Sequence, residues 1–190
     1  MSTSELDRRY HHGDLRAALV AAALEQLEAG GAAALSLRAV ARTCGVSAMA
    51  PYRHFAGKEE LLEAVAARGF EDLAIALEAA NAAAEGAEAL AAQGAAYVTF
   101  ACRHPALFRL MFMGPGCGAD RSRAYAILER RAAALAGPQR AAEDLTLAAW
   151  SLVHGLAALI LDRRVPLEGE AAEDTARRIT LAFARLAADG

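Results

Sequence analysis

Apolar residues recur at helical intervals from one end of this chain to the other, and nowhere do they alternate at period two. Leu15, Leu19, Ala23 and Leu27 fall four apart, which predicts a helix with one apolar stripe, capped by Asp14 and stopped at Gly30-Gly31. A second helix starts at Ser36, sets Leu37, Val40, Ala41 and Cys44 on one face and points Arg38 and Arg42 away from it. Gly45 can take the positive φ that ends it. A third, about two turns long, is capped by Ser47, has Pro51 at the end of its first turn and stops at Gly57. The next opens at Lys58 and carries Leu62, Val65, Phe70, Leu73 and Leu77 into the Ala-rich stretch EAANAAAEGAEAL. A domain boundary is expected there, giving 1–78 and 79–190. Beyond it the pattern predicts helices over about 87–103, 105–113, 120–136, 141–164 and 171–188, with breaks at MGPGCG and AGPQ. The fold class is all-α.

Composition narrows the function. With 190 residues and 56% hydrophobic content the chain can bury a core without staples. The formal net charge is -3, and residues 1–60 balance seven Arg and Lys against seven Asp and Glu. A nucleic-acid partner must therefore be met by local placement of charge, not by overall basicity. Cys44, Cys102 and Cys117 form neither an even set nor a Cys-x-x-Cys pair, which argues against a disulfide framework or a zinc cluster and for reduced thiols. The opening MSTSELDRRYHHGD is polar where a secretory leader needs an apolar run, so a cytoplasmic location is expected. The longest uncharged window, Leu145 to Leu161, falls short of the roughly 20 apolar residues of a span and holds Trp150, His154 and Gly155. It reads as a buried helix, with no membrane partner.

The stretch GVSAMAPYRHFAGKEEL concentrates chemistry in an otherwise Ala- and Leu-rich chain. Helix two, a glycine turn and helix three, supported by helix one, have the layout of a helix-turn-helix whose last helix enters a major groove. Ser47, Ala48 and Met49 would then lie nearest the base edges, with Tyr52, Arg53 and His54 reaching flanking bases or phosphates. Phe55 faces inward. Lys58 places a compact positive charge beside helix N–H groups that favour phosphate.

These residues closely resemble the DNA-binding head of the tetracycline-repressor-like (TetR) regulators, whose hallmark of tyrosine, His-Phe and a helix-opening lysine is here Tyr52, His54-Phe55 and Lys58. The resemblance covers roughly the first 75 residues. WSLVHG at 150–155 is similar to the Trp-His-Gly (WHG) element of one subgroup's C-terminal domain. The resemblance implies a homeodomain-like three-helix head on a helical ligand-binding and dimerisation domain, and a homodimer on double-stranded operator DNA. It further implies that Tyr52 and Lys58 contact phosphates, that Ser36 and Arg38 touch the DNA backbone, and that residues 47–49 with Arg53 read bases. Ala48 and Met49 offer only apolar contact, for instance to a thymine methyl, which leaves Arg53 to hydrogen-bond guanine. Arg8 and Arg9 precede helix one as a candidate minor-groove arm.

The C-terminal segment holds Tyr97, Phe100, Phe108, Met111, Phe112 and Trp150, which either fill a core or line a largely apolar effector site. Trp150 and His154 are four apart and project to one side of a helix; His154 is equally readable as a core histidine bonded to a carbonyl. His11-His12 has no further ligand at metal spacing, His104 closes a helix before Pro105, and Cys117 lacks the basic neighbour of a redox switch. No metal or cofactor is expected. In the last two helices Gly155, Ala157, Ala158 and Leu161, and the stripe Ala176, Ile179, Phe183 and Leu186, suggest a subunit interface of four helices. The expected function is a ligand-responsive repressor, not an enzyme. The rivals are an architectural DNA binder without effector, and a small helical enzyme using His154, for which the chain lacks any nucleophile, base and orienter pattern.

Overall fold

The structure is a computed structural model that describes residues 15–113, 122–136, 141–165, 167 and 171–188. Among the described residues all regular structure is helical. In order come α1 (Leu15–Ala34), α2 (Leu37–Thr43), a 3₁₀ helix (Ala50–Arg53), α3 (Lys58–Ala82), α4 (Gly86–Arg103), α5 (Pro105–Met113), α6 (Ser122–Leu135), α7 (Ala142–Leu161) and α8 (Ala172–Ala188). Contacts gather the chain into two units, one of residues 1–68 with 109–119 and the other of 69–108 with 120–190. Asp14, Arg8, Arg9, His11, His12, Cys117 and most of both predicted breaks lie outside the described residues.

In the first unit, local sequence sets each joint. α1 buries Leu19, Ala23 and Leu27, the predicted stripe, and bends at Gly31, whose φ of 73° and ψ of 172° break the helix where the double glycine foretold. The Ser36 hydroxyl caps α2 by accepting the Ala39 N–H at 3.2 Å. After α2 the Gly45 N–H donates to the Arg42 carbonyl and the Val46 N–H to the Ala41 carbonyl, at 3.1 and 3.0 Å. This bond pair is the Schellman ending, which puts Gly45 at φ 66°.

The third helix departs from expectation. It is a 3₁₀ helix flanked by Met49, without a side-chain cap, in place of a two-turn α-helix capped by Ser47. Pro51 is the cause. It has no N–H to give the Ser47 carbonyl and its ring crowds that carbonyl, so the chain tightens. Ala50 bonds Ser47 and Tyr52 bonds Met49, each three residues back, at 2.9 and 3.3 Å. Gly57 then starts α3, accepting the Leu61 N–H, while Glu60 reaches back to the Ala56 N–H at 2.6 Å.

The second unit is built around α4. Leu90, Ala149 and Ala184 form one buried cluster and Ala132, Leu145 and Ala187 a second, both covered by Phe183. α4, α6, α7 and α8 therefore share one core. α8 lies along α4, where Gly94 permits close approach to Thr180. The buried face of α8 carries Ala176, Thr180, Ala184 and Ala187, and Leu186 is 76% exposed. Ala157 and Ala176, expected at a subunit surface, are fully buried within this chain. α7 is long and apolar enough to cross a membrane by composition. One face is buried through Leu145, Ala149, Val153 and Leu156, and the other exposes Leu147 and Leu159, so it is a buried helix on one side only. The second half of α3 is tied to α6 by Glu71 to Arg123, by Glu78 to Arg130 at 3.0 Å, and by Asn81 to Arg131 at 2.9 Å. Surface pairs of this kind contribute about 0–1 kcal/mol each.

Candidate nucleic-acid interface and effector site

The head turns its expected reading residues outward. Ser47, Ala48 and Arg53 are exposed, as are Ser36 and Arg38 at the start of α2, and Met49 and Tyr52 are 69% and 46% exposed. Pro51 and Phe55 are buried beneath them, and the Arg16 guanidinium lies 5.2 Å from the centre of the Phe55 ring. Buried proline and phenylalanine thus fix the backbone from which Met49, Tyr52 and Arg53 project. An exposed methionine this large has no packing role in the free protein.

His54 and Lys58 are only partly exposed. His54 sits against Phe55, with ring centres 6.5 Å apart. Lys58 donates from Nζ to the Ala33 carbonyl at 3.3 Å, bridging the end of α1 to the start of α3. Three N–H donors on one ammonium leave two for another acceptor, so this bond orients the charge without consuming it.

In the second unit, four of the expected effector residues come together. Trp150 Nε1 donates to the Tyr97 hydroxyl at 3.4 Å, and that hydroxyl lies 2.9 Å from His154 Nδ1. Phe108 flanks the imidazole with ring centres 5.4 Å apart, and Tyr125 meets Trp150 edge-on at 5.9 Å. The indole can only donate, so the Tyr97 oxygen accepts from it and shares a second hydrogen bond with His154 Nδ1. Burial favours the neutral forms of both, raising the Tyr97 phenol and lowering the His154 imidazole from their ordinary values. The cluster is largely closed by its own bonds. Phe100 faces elsewhere, and Met111 and Phe112 belong to the first unit.

The depressed His154 pKa has a testable consequence. As pH falls below about 6.5 the unfolded chain takes up a proton at this imidazole before the folded one does, so stability declines through that range. In His154→Gln the urea-unfolding free energy should fall less steeply with acid than in the parent. Parallel slopes would mean that the imidazole is not held neutral by folding.

A trench of about 530 Å³ opens on a different side of the second unit. Its α3 wall is Ala76 and Ala80, and its α4 floor includes Ala92, Ala95 and Ala96. Polar groups gather at one end: Thr99, Arg103 and His104, with Asp72 from α3 and Glu173 from α8. Of the expected effector residues only Phe100 lines it, its ring 5.2 Å from that of His104. From the sequence alone these alanines were assigned no role. The signal was present, since Ala92, Ala95, Ala96 and Thr99 repeat at helical spacing where a packed face would carry leucine.

Comparison with known proteins agrees with this architecture. Residues 19–65 match the model of bacterial regulatory proteins of the tetR family, and residues 90–183 match a tetracyclin repressor-like C-terminal domain. No curated protein matches the chain. Among solved structures, a protein of unknown function from Rhodococcus sp. RHA1 is 35% identical, with 93% of this chain and 96% of that one aligned at a TM-score of 0.74. A tetR-family regulatory protein from Rhodococcus RHA1 shares 23% identity over 92% and 95% of the two chains, with a TM-score of 0.60. A TetR transcriptional regulator from Streptomyces coelicolor shares 21% over 92% and 96%, with a TM-score of 0.67. The two family models, which between them take in both the reading head and the helical body, and the full-length likeness to solved structures establish that this chain belongs to the TetR family of DNA-binding transcriptional regulators.

Proposed function

We propose that the protein is a repressor that binds a palindromic operator as a homodimer and is released from it by a small molecule held in the helical body. The observation that carries the DNA half of this reading is the 3₁₀ element, whose Met49, Tyr52 and Arg53 are exposed over a buried Pro51 and Phe55. Ser36, Arg38 and Lys58 supply backbone contacts that set register, His54 flanks them, and residues 47–49 with Arg53 distinguish bases. Leu147 and Leu159 on α7 and Leu186 on α8 give a second copy apolar surface to cover. The trench and the Tyr97 cluster are two places in the body where a ligand would be felt. Such a ligand acts only through its different affinity for the operator-competent and released forms.

Selection of bound sequences from random DNA by the purified protein tests this reading. Two-fold symmetric sites with half-sites about one helical turn apart, or slightly more, are expected, roughly 34–36 Å or a little beyond. Recovery of no preferred sequence would instead favour an architectural binder. On the selected site, Arg53→Ala should cost about 1–3 kcal/mol and relax preference at particular positions. Lys58→Ala should weaken all sequences alike and lower the salt slope by about one per half-site. Indistinguishable behaviour of the two variants in filter-binding salt titrations would remove the division of labour.

A further inference from the structure

The trench has a polarity that names the class of molecule it fits. α3 and α4 are joined by a short link, with Asn81 and Gln93 hydrogen-bonded near it at 2.9 Å. Ala80 and Ala92 therefore lie at the link end, and Asp72 and Arg103 at the other. From Ala92 to Arg103 the floor rises by about 16 Å. The alanine half offers methyl groups, and Arg177, the lining side chain that reaches toward it, is paired with Glu88 at 3.0 Å in the first turn of α4. A slender apolar chain is the occupant of that half.

Charge at the other end decides the head. At that end Asp72 is engaged by another group. Arg103 forms no ion pair among the described residues, and Glu173 receives only the Thr99 hydroxyl, at 3.5 Å. One cation and one carboxylate thus face the same space. A head of either net charge gains one of them and is opposed by the other. A head that is uncharged overall but both accepts and donates satisfies the two together.

We propose that the trench between α3, α4 and α8 binds a single-chain amphiphile whose polar head is net neutral and carries both an acceptor and a donor, as a primary amide does. This deepens the reading of the body as an effector domain, and its test is binding itself, read separately from operator release.

Calorimetric titration of the full-length protein with octanamide, octanoate and octylammonium holds the chain constant and varies the head. Octanamide should bind tightest, and hexanamide about tenfold more weakly through loss of two buried methylenes. Glu173→Gln should move the preference to octanoate, and Arg103→Gln should move it to octylammonium. Ala96→Leu on the floor and Ala80→Leu on the opposite wall should each reduce octanamide binding at least tenfold. Using both guards against one variant misfolding. Tighter binding of either charged ligand by the parent, or full octanamide affinity in both leucine variants, overturns the proposal. Octanamide binding that follows these rules without releasing operator DNA would uphold the site and remove only its regulatory role.

Discussion

Replacing Phe55 by alanine should abolish specific DNA binding although Phe55 itself touches no DNA. The side chain is 1% exposed and among the largest fully buried groups in the protein. Its backbone N–H donates to the Pro51 carbonyl at 3.0 Å, so the ring anchors the residues that follow the 3₁₀ element. Truncation removes the ring from the core and with it the face on which the Arg16 guanidinium rests, and Phe→Ala changes at such sites cost about 3–5 kcal/mol. Domains of this size have a total stability of about 5–15 kcal/mol, and the head has a small core. Phe55→Leu keeps most of the volume and should cost about 1.5 kcal/mol or less. Amide hydrogen exchange in α1 and α2, measured beside operator affinity, separates loss of the head's packing from loss of a contact. Parent-like affinity in Phe55→Ala would show that the ring does not hold the reading residues in place.

The head was legible because its joints are made by residues close in sequence. Ser36 bonds a neighbour three along, and Gly45 closes its turn with Arg42 and Ala41. The Leu19, Ala23 and Leu27 stripe needs only helical periodicity. The form of the third helix was not legible, because Pro51 was placed simply at the end of an α-helix's first turn. Without an N–H, Pro51 leaves the Ser47 carbonyl no α-helical partner, and its ring crowds that carbonyl, which makes three-residue bonds the better solution. Lys58 shows the same limit at longer range. Its bond to Ala33 joins residues 25 apart, and no local pattern announces it.

In the body, residue size misled more than residue polarity. Of the α8 stripe Ala176, Ile179, Phe183 and Leu186 expected at a subunit surface, Ala176 is instead buried within this chain beside Thr180 and Ala184. Small residues sit where two helices approach closely, and a large one such as Leu186 is left outside. The trench was overlooked because small residues on facing helices also make space. The Tyr97, Trp150 and His154 grouping was legible only in part. Spacing put Trp150 beside His154, but Tyr97 is over 50 residues away and its hydroxyl completes the bonds. Whether that cluster or the trench meets the effector is decided by contrasting His154→Gln with Ala96→Leu in operator release.

Gly94→Ala should destabilise the body although it improves helix propensity. Within a helix, exchanging glycine for alanine contributes about 1 kcal/mol of stability when nothing opposes it. At Gly94 a new Cβ would stand 2.9 Å from both Cβ and Cγ2 of Thr180, and closer still to Oγ1. Thr180 is 1% exposed and branched at Cβ, so it has little room to turn aside. The clash must then be relieved by separating α4 from α8, the most extensively packed helix pair in the second unit. Overpacking of this kind costs about 1–3 kcal/mol, occasionally more, and the net loss should be visible in urea unfolding. Thr180 supplies the control. Its Oγ1 is buried without a partner, so Thr180→Ala alone should be nearly neutral. Combined with Gly94→Ala it removes Oγ1 and Cγ2 but leaves Cβ, and should restore only part of the loss. Thr180→Gly clears the contact fully, at a propensity cost of about 1 kcal/mol. A double-mutant cycle should therefore give a coupling energy between positions 94 and 180 that is larger for glycine than for alanine. If Gly94→Ala proves as stable as the parent, the close approach of α4 and α8 is not what glycine is there to allow.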